Sequence, residues 1–196
     1  MATKKLKEIH SAKATYTLFL GIVFGLICIS ALRHNYQVMT KLRDDVSVAD
    51  QNNGDVETAL TMLRSHVYGH MNTNLISGSN PIKPPIQLKY RYERLAATES
   101  DKVKTANAKV TSDAEIMCTS QFPAAGYNPD RVVCIQNYVN VNATSESTVA
   151  ESLYKFDFIS PKWSPDTAGI TMLISISSFI ASAVLIIIRQ IKKRLL

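Results

Sequence analysis

Two stretches of this 196-residue sequence lack charge altogether, and the remainder lacks most of the material from which catalytic sites are built. Three cysteines and four histidines leave little for a multi-ligand metal centre. No Gly-rich phosphate loop, no G-x-S-x-G elbow and no H-E-x-x-H pair is present. No Cys/His nucleophile and no carboxylate pair is placed by spacing in a pocket. These absences predict a protein that is not an enzyme and carries no cofactor. Internal repeats and low-complexity tracts are also missing.

What is present begins with the uncharged runs. Residues 14–32 and 167–188 hold 19 and 22 residues without a charge. About 20 helical residues cross a hydrocarbon core of about 30 Å, so both runs are long enough to span a membrane. Both are apolar all round, unlike the one-faced helix of a soluble core. The charges sit beside them. Lys4, Lys5, Lys7 and Lys13 precede the first run, and Arg189, Lys192, Lys193 and Arg194 follow the second. Residues 33–167 hold 14 basic and 15 acidic residues and are near neutral, so the excess of positive charge resides in the two tails. By the positive-inside rule both tails face the cytoplasm and residues 33–166 lie outside the plasma membrane. The tails then meet anionic lipid headgroups rather than nucleic acid.

A cleaved signal peptide is the competing reading of the first run, but the run exceeds the usual apolar segment of about 7–15 residues. Lipoprotein processing before Cys28 is disfavoured by the bulky Ile27. Cys118 and Cys134 fall in the exported region with 15 residues between them. In an oxidising compartment they read as one disulfide, contributing about 3 kcal/mol in a chain-entropy account. A zinc site is disfavoured because no other Cys or His lies near in sequence.

Helical periodicity dominates residues 33–118. Tyr36, Met39, Leu42, Val46 and Ala49 continue the first span as an amphipathic stripe, until QNNGD at 51–55 breaks it. Asp55 is placed to cap a second helix striped by Val56, Leu60, Leu63, Val67 and Met71, with Leu75 next in register. Prolines 81, 84 and 85 end it. A third helix from Ile86 to about Met117 carries a narrow stripe interrupted at Glu99, and at about 45 Å it suits a stalk. Asn128-Pro129 starts a short helix bearing Cys134, and Thr148 with Glu151 forms a capping box before another. Residues 155–166 read as extended, with Trp163 as an interfacial anchor. The expected fold is mainly α: two transmembrane helices flanking an exported antiparallel helical bundle with long stalk-like helices and one disulfide.

Four groups of residues bear on function. His66 and His70 share a helical face, as half of a metal or haem site helped by Met62 or Met71, as a pH-responsive pair, or as polar residues flanking the stripe; the missing third ligand favours the last. Lys89, Arg91 and Arg94, with Tyr90 and Tyr92, form a candidate patch for an anionic ligand, weighed against an ordinary solvated face. Gly21 and Gly25 in the first span, and Ser178 and Ser182 in the second, permit close helix packing within the hairpin or laterally. Asn142-Ala143-Thr144 is a glycosylation sequon only in a eukaryotic host.

In HVYGHMNTNL, PPIQLKYRYERL and LYKFDFISPKWSPD the chain resembles two-span envelope proteins of bacteria with very small genomes. The resemblance covers most of the exported region and implies a bacterial plasma membrane, without an associated activity. The architecture is also similar to the input half of bacterial four-helix-bundle receptors, which continue into a signalling module. Here eight residues follow the second span, so transduction would need a separate partner. The expected role is a structural or accessory subunit of an envelope assembly, with partners among membrane or envelope proteins or further copies of itself. The alternative is a sensory subunit acting through a signalling partner.

Overall fold

The computed structural model describes residues 2–76, 82–123 and 126–194, with the side chains of 2–12 and 193 outside the description. Three quarters of the chain is helical. The order is α1 (Ala2–Gln51), α2 (Val56–Gly69), β1 (Ile86–Gln87), α3 (Lys89–Gln121), α4 (Pro129–Asn142), a 3-10 turn (Glu151–Leu153), β2 (Lys155–Phe156) and α5 (Thr167–Arg194). Packing divides it into two units, residues 1–86 with 156–196, and residues 87–155. The boundary falls inside the segment that the sequence groups as one exported domain.

In the first unit α1 packs on both α5 and α2. The helix is continuous for 50 residues, about 75 Å, because nothing between the apolar run and Gln51 breaks it. It ends where Asn53 takes a positive φ of 52° and the Gly54 N–H donates back to Ala49 O at 2.8 Å, a left-handed C-terminal closure. Asp55 then caps α2, accepting from the Thr58 N–H at 3.0 Å and its hydroxyl at 2.6 Å. The expected stripe of α2 is buried in full, from Val56 to Leu75, although the helix stops at Gly69 and Met71 and Leu75 follow it. On α1 the expected stripe needs correction. Met39 and Val46 are buried, but Tyr36 is exposed and its neighbour Asn35 points inward.

The α1–α5 contact is built from small residues. Ala14, Gly21, Cys28 and Asn35 are buried at intervals of seven along α1. Ala168, Ser175 and Ser182 match that interval on α5, with Thr171 and Ser178 between them. Leu18, Phe19, Ile22, Leu26, Ile170, Leu173, Ile176 and Ile180 point outward. Both helices are thus apolar outside and small or polar inside, the reverse of a soluble amphipathic helix. Both are long and apolar enough to cross a membrane.

In the second unit α3 runs 33 residues and α4 packs against it. Only Ala114 and Cys118 of α3 are fully buried, near the Cys118–Cys134 disulfide. Asn128 caps α4 by accepting from the Asp130 N–H, with Pro129 at the first turn, as the sequence predicts. Beyond α4 the chain returns along α3: the Asn107 side chain both donates to Thr144 O and accepts from Thr144 N–H, and Glu99 accepts from Ser147. Glu99 interrupts the apolar stripe because it holds this returning segment. Two expectations are overturned here. Ile86 and Gln87 are a strand, paired with Lys155–Phe156, rather than the start of α3. Thr148 forms no capping box; Ala150 occupies the cap position without a side-chain bond, and Glu151 instead pairs with Lys155.

With so little of α3 buried, the disulfide is the main tie on α4. Reduction, or Cys118→Ser with Cys134→Ser, should lower the stability of residues 87–155 by about 3 kcal/mol. Amide exchange should accelerate first across Pro129–Asn142, while α1 and α5 keep their protection.

Candidate functional site

The densest polar cluster of the described residues lies where α5 begins. Asp166 sits just before α5 and accepts three hydrogen bonds: from Asn35 Nδ2 at 2.6 Å, from Ser164 Oγ at 2.9 Å, and from the Gly169 N–H at 2.9 Å. The last is an N-terminal cap on α5, which favours an anion at that end. Ser164 Oγ accepts in turn from the Met71 N–H at 2.9 Å, and Asn35 Nδ2 also lies 3.4 Å from Met71 O. Three chain segments meet: α1 through Asn35, the exit of α2 through Met71, and the entry to α5 through Ser164 and Asp166. Asn72, at a φ of 62°, adds a bond from its side chain to Leu32 O.

Burial pushes the Asp166 carboxyl up, but the Gly169 N–H, the Asn35 amide, the Ser164 hydroxyl and the nearby His70 together outweigh it. The group therefore titrates below the usual carboxylate range. The folded state favours the ionised form. That contribution is complete above the unfolded carboxylate value of about 3.9 and is lost as pH falls through the depressed folded value.

Gly169 is dictated by this corner. A Cβ there would lie 1.8 Å from Ser164 O and 3.0 Å from Trp163 Nε1, so the loop can close on the first turn of α5 only over a bare Cα.

Below the corner the two helices are stitched at intervals of seven. The Cys28 thiol donates to Ala168 O at 3.4 Å, Ser175 Oγ to Gly21 O at 2.9 Å, and Ser182 Oγ to Ala14 O at 3.1 Å. Each step up α1 is matched by an equal step down α5, so the helices run in opposite directions in one fixed register. Gly21 faces the Phe179 ring and Gly25 faces Ser175 Oγ, each too closely for a freely accommodated side chain. Of the residues the sequence singles out, Gly21, Gly25 and Ser182 lie in this contact. Ser178 is buried there too, but its hydroxyl bonds back to Ile174 O within α5. Ser175 makes the cross-helix bond and is not among the residues the sequence singles out; its seven-residue spacing from Ser182 and Ala168 is the signal that points to it.

His66 and His70 stack at 4.3 Å between ring centroids. His66 Nε2 lies 3.0 Å from Asn35 O and His70 Nδ1 2.9 Å from His66 O. Carbonyl oxygens only accept, so both nitrogens carry protons. Nearly parallel rings, 23° apart, do not aim lone pairs at one point, and no group of three or more His, Cys, Asp and Glu that could hold a metal occurs among the described residues. The pair's visible role is to join α2 to α1 beside the corner.

The remaining candidates are dispersed. Lys89 pairs with Glu93 at 3.8 Å and lies 5.7 Å from the Tyr90 ring. Tyr92 packs on Tyr154 at 4.8 Å, and Arg91 and Arg94 hold interactions of their own. Trp163 is partly exposed beside Gly169. Lys13, Lys192 and Arg194 are exposed and Arg189 is half-buried; the side chains of Lys4, Lys5, Lys7 and Lys193 lie outside the description. Comparison with protein-family models, curated proteins and solved structures finds no match to this chain.

Asp166→Asn retains the shape but leaves one oxygen for three donors, so it should cost about 2 kcal/mol, within the range for bonds to a charged group. Denaturation in detergent should also show wild-type stability falling below about pH 4 and a flatter profile for the variant. Gly169→Ala should be the harshest single-methyl addition in this unit, costing about 3 kcal/mol or preventing closure, against a smaller loss for Gly21→Ala.

Proposed function

We infer that the chain is a non-enzymatic, membrane-anchored structural or accessory subunit of a cell-envelope assembly. It crosses the plasma membrane twice, with both basic tails in the cytoplasm on anionic headgroups and residues 33–166 outside. The observation that carries this reading is the stitched α1–α5 pair closed by the Asp166 corner. Lipid offers no hydrophobic drive to bring spans together, so small residues and cross-helix hydroxyl bonds must do it. The contact has that composition, while large apolar side chains cover the outside. Outside the membrane, the upper half of α1 pairs with α2, and in the other unit α4 pairs with the stalk-like α3; each pair presents a surface to other envelope proteins or to further copies.

A second reading is favoured by one feature. Helix α1 runs unbroken from the tail to Gln51, so a shift outside the membrane would reach the span without a hinge. This supports a sensory subunit acting through a separate signalling partner.

Crosslinking in the native membrane, mild solubilisation and mass spectrometry of neighbours separate the two. Crosslinks to itself or to envelope-assembly components are expected. Crosslinks confined to a kinase, receptor or transporter, with a ligand-dependent rise in thermal stability, would replace the structural role with the sensory one.

A further inference from the structure

The segment between β2 and α5 is held at both ends and presents its middle outward. At one end Phe158 is buried, edge-on to Tyr68 at 6.1 Å and with the Arg64 guanidinium 5.4 Å from its ring centroid. At the other, Ser164 and Asp166 are tied to Met71 and Asn35. Between these fixed points lie Ile159, 79% exposed, and Trp163, 44% exposed, with the exposed Lys162 beside them. The flanking contacts hold this short stretch with its apolar side chains on the surface.

Its height along the helices is set by the same contacts. The apolar run of α1 ends at Leu32 and that of α5 begins at Thr167. Asn35 and Asp166 are bonded to each other just beyond those ends, and Trp163 Nε1 lies beside Gly169, two residues inside α5. Tyr68, which receives Phe158, is near the end of α2 that joins this corner. An apolar branched side chain, a lysine and a tryptophan at the edge of an apolar layer match the three needs of a bilayer interface. In such a layer an apolar branched side chain reaches acyl chains, a lysine meets phosphate, and an indole ring sits at the headgroup level.

We propose that residues 159–163 form a membrane-surface strap that seats Ile159 and Trp163 in the interfacial layer of the bilayer, a third lipid contact besides the two spans. The proposal rests on the membrane reading above and adds to it a depth and a function: the strap fixes how far the corner, and with it the base of α2, stands from the lipid. The occupant is the lipid interface, because Trp163 lies against Gly169 in the first turn of α5, where the uncharged apolar run of that helix begins.

Trp163 is the only tryptophan, so its fluorescence reports this position without labelling. The full chain would be reconstituted in phosphatidylcholine–phosphatidylglycerol nanodiscs carrying lipids brominated at shallow or deep acyl positions. Shallow bromines are expected to quench most of the Trp163 emission, deep bromines little of it, and aqueous iodide little. A second protein, Ile159→Trp with Trp163→Phe, should show the same shallow quenching, and Ile159→Asp should shift Trp163 towards iodide quenching while its helical circular dichroism is retained. Resistance of the chain to alkaline extraction, scored in parallel, tests the spans themselves. Extraction with the soluble fraction would overturn the membrane reading. A chain that stays integral while both tryptophan positions are quenched by iodide and spared by bromine would overturn the strap alone.

Discussion

The hydrogen bond from Asn35 to Asp166, 2.6 Å long, joins residues 131 apart in sequence and ties α1 to the entry of α5. A carboxylate is suited to this position because it accepts from several directions at once and binds most strongly when its donors are prearranged. Asn35 holds it from α1, Ser164 from the approaching loop and Gly169 from the first turn of α5. The Ser164 hydroxyl then passes the connection to the Met71 backbone at the exit of α2. Removing charge from such a centre does not delete one contact. It leaves several donors partly buried around an oxygen that cannot satisfy them all, and their desolvation adds to the loss.

The rest of the α1–α5 contact follows from the close approach that this corner imposes. Large side chains inside would hold the backbones apart and place the carbonyls of Ala14, Gly21 and Ala168 beyond reach. Small ones let a hydroxyl or thiol from one helix meet a carbonyl of the other. Each such bond is worth only about 0.6 kcal/mol on average in membrane proteins, so three of them set register more than they set strength. Thr171 and Ser178 show the distinction. Their hydroxyls bond to their own helix, and they contribute by being small.

Much of this fold is legible from local chemistry alone. The uncharged runs, the Asp55 and Asn128 caps, the stripe of α2 and the Cys118–Cys134 pair are each determined within a short window of sequence, by solvation, capping or a scarcity of alternatives. Three features are not legible there, for a common reason. Asn35, Asp166 and Ser164 are ordinary surface residue types whose burial depends on partners more than 90 residues away. The β1–β2 pair is two residues long on each side, below any periodicity. The Thr148–Glu151 box has the right spacing, but Glu151 meets Lys155 instead, an exposed pair that raises the Lys155 ammonium above its ordinary value through that hydrogen bond. Spacing shows what a residue can do locally; it does not show which competitor reaches it first.

Along α1 the spacing of the buried residues changes at Asn35. They fall at 14, 21, 28 and 35, and then at 39, 46 and 50, so regular intervals of seven give way to steps of four and seven. Below the change the buried face includes the bonds to α5, and above it the helix meets α2. Asn35 stands at the changeover and bonds to both neighbours, through Asp166 and through Met71 and His66. A rotation of α1 that improved its fit to one partner would worsen its fit to the other, because a single rigid helix has one phase along its length. The structure resolves this by placing its densest polar network where the spacing changes, so that α2 and α5 are tied to each other there as well as to α1. A force applied to α2 must then strain the Asp166 network before it can turn the apolar half of α1.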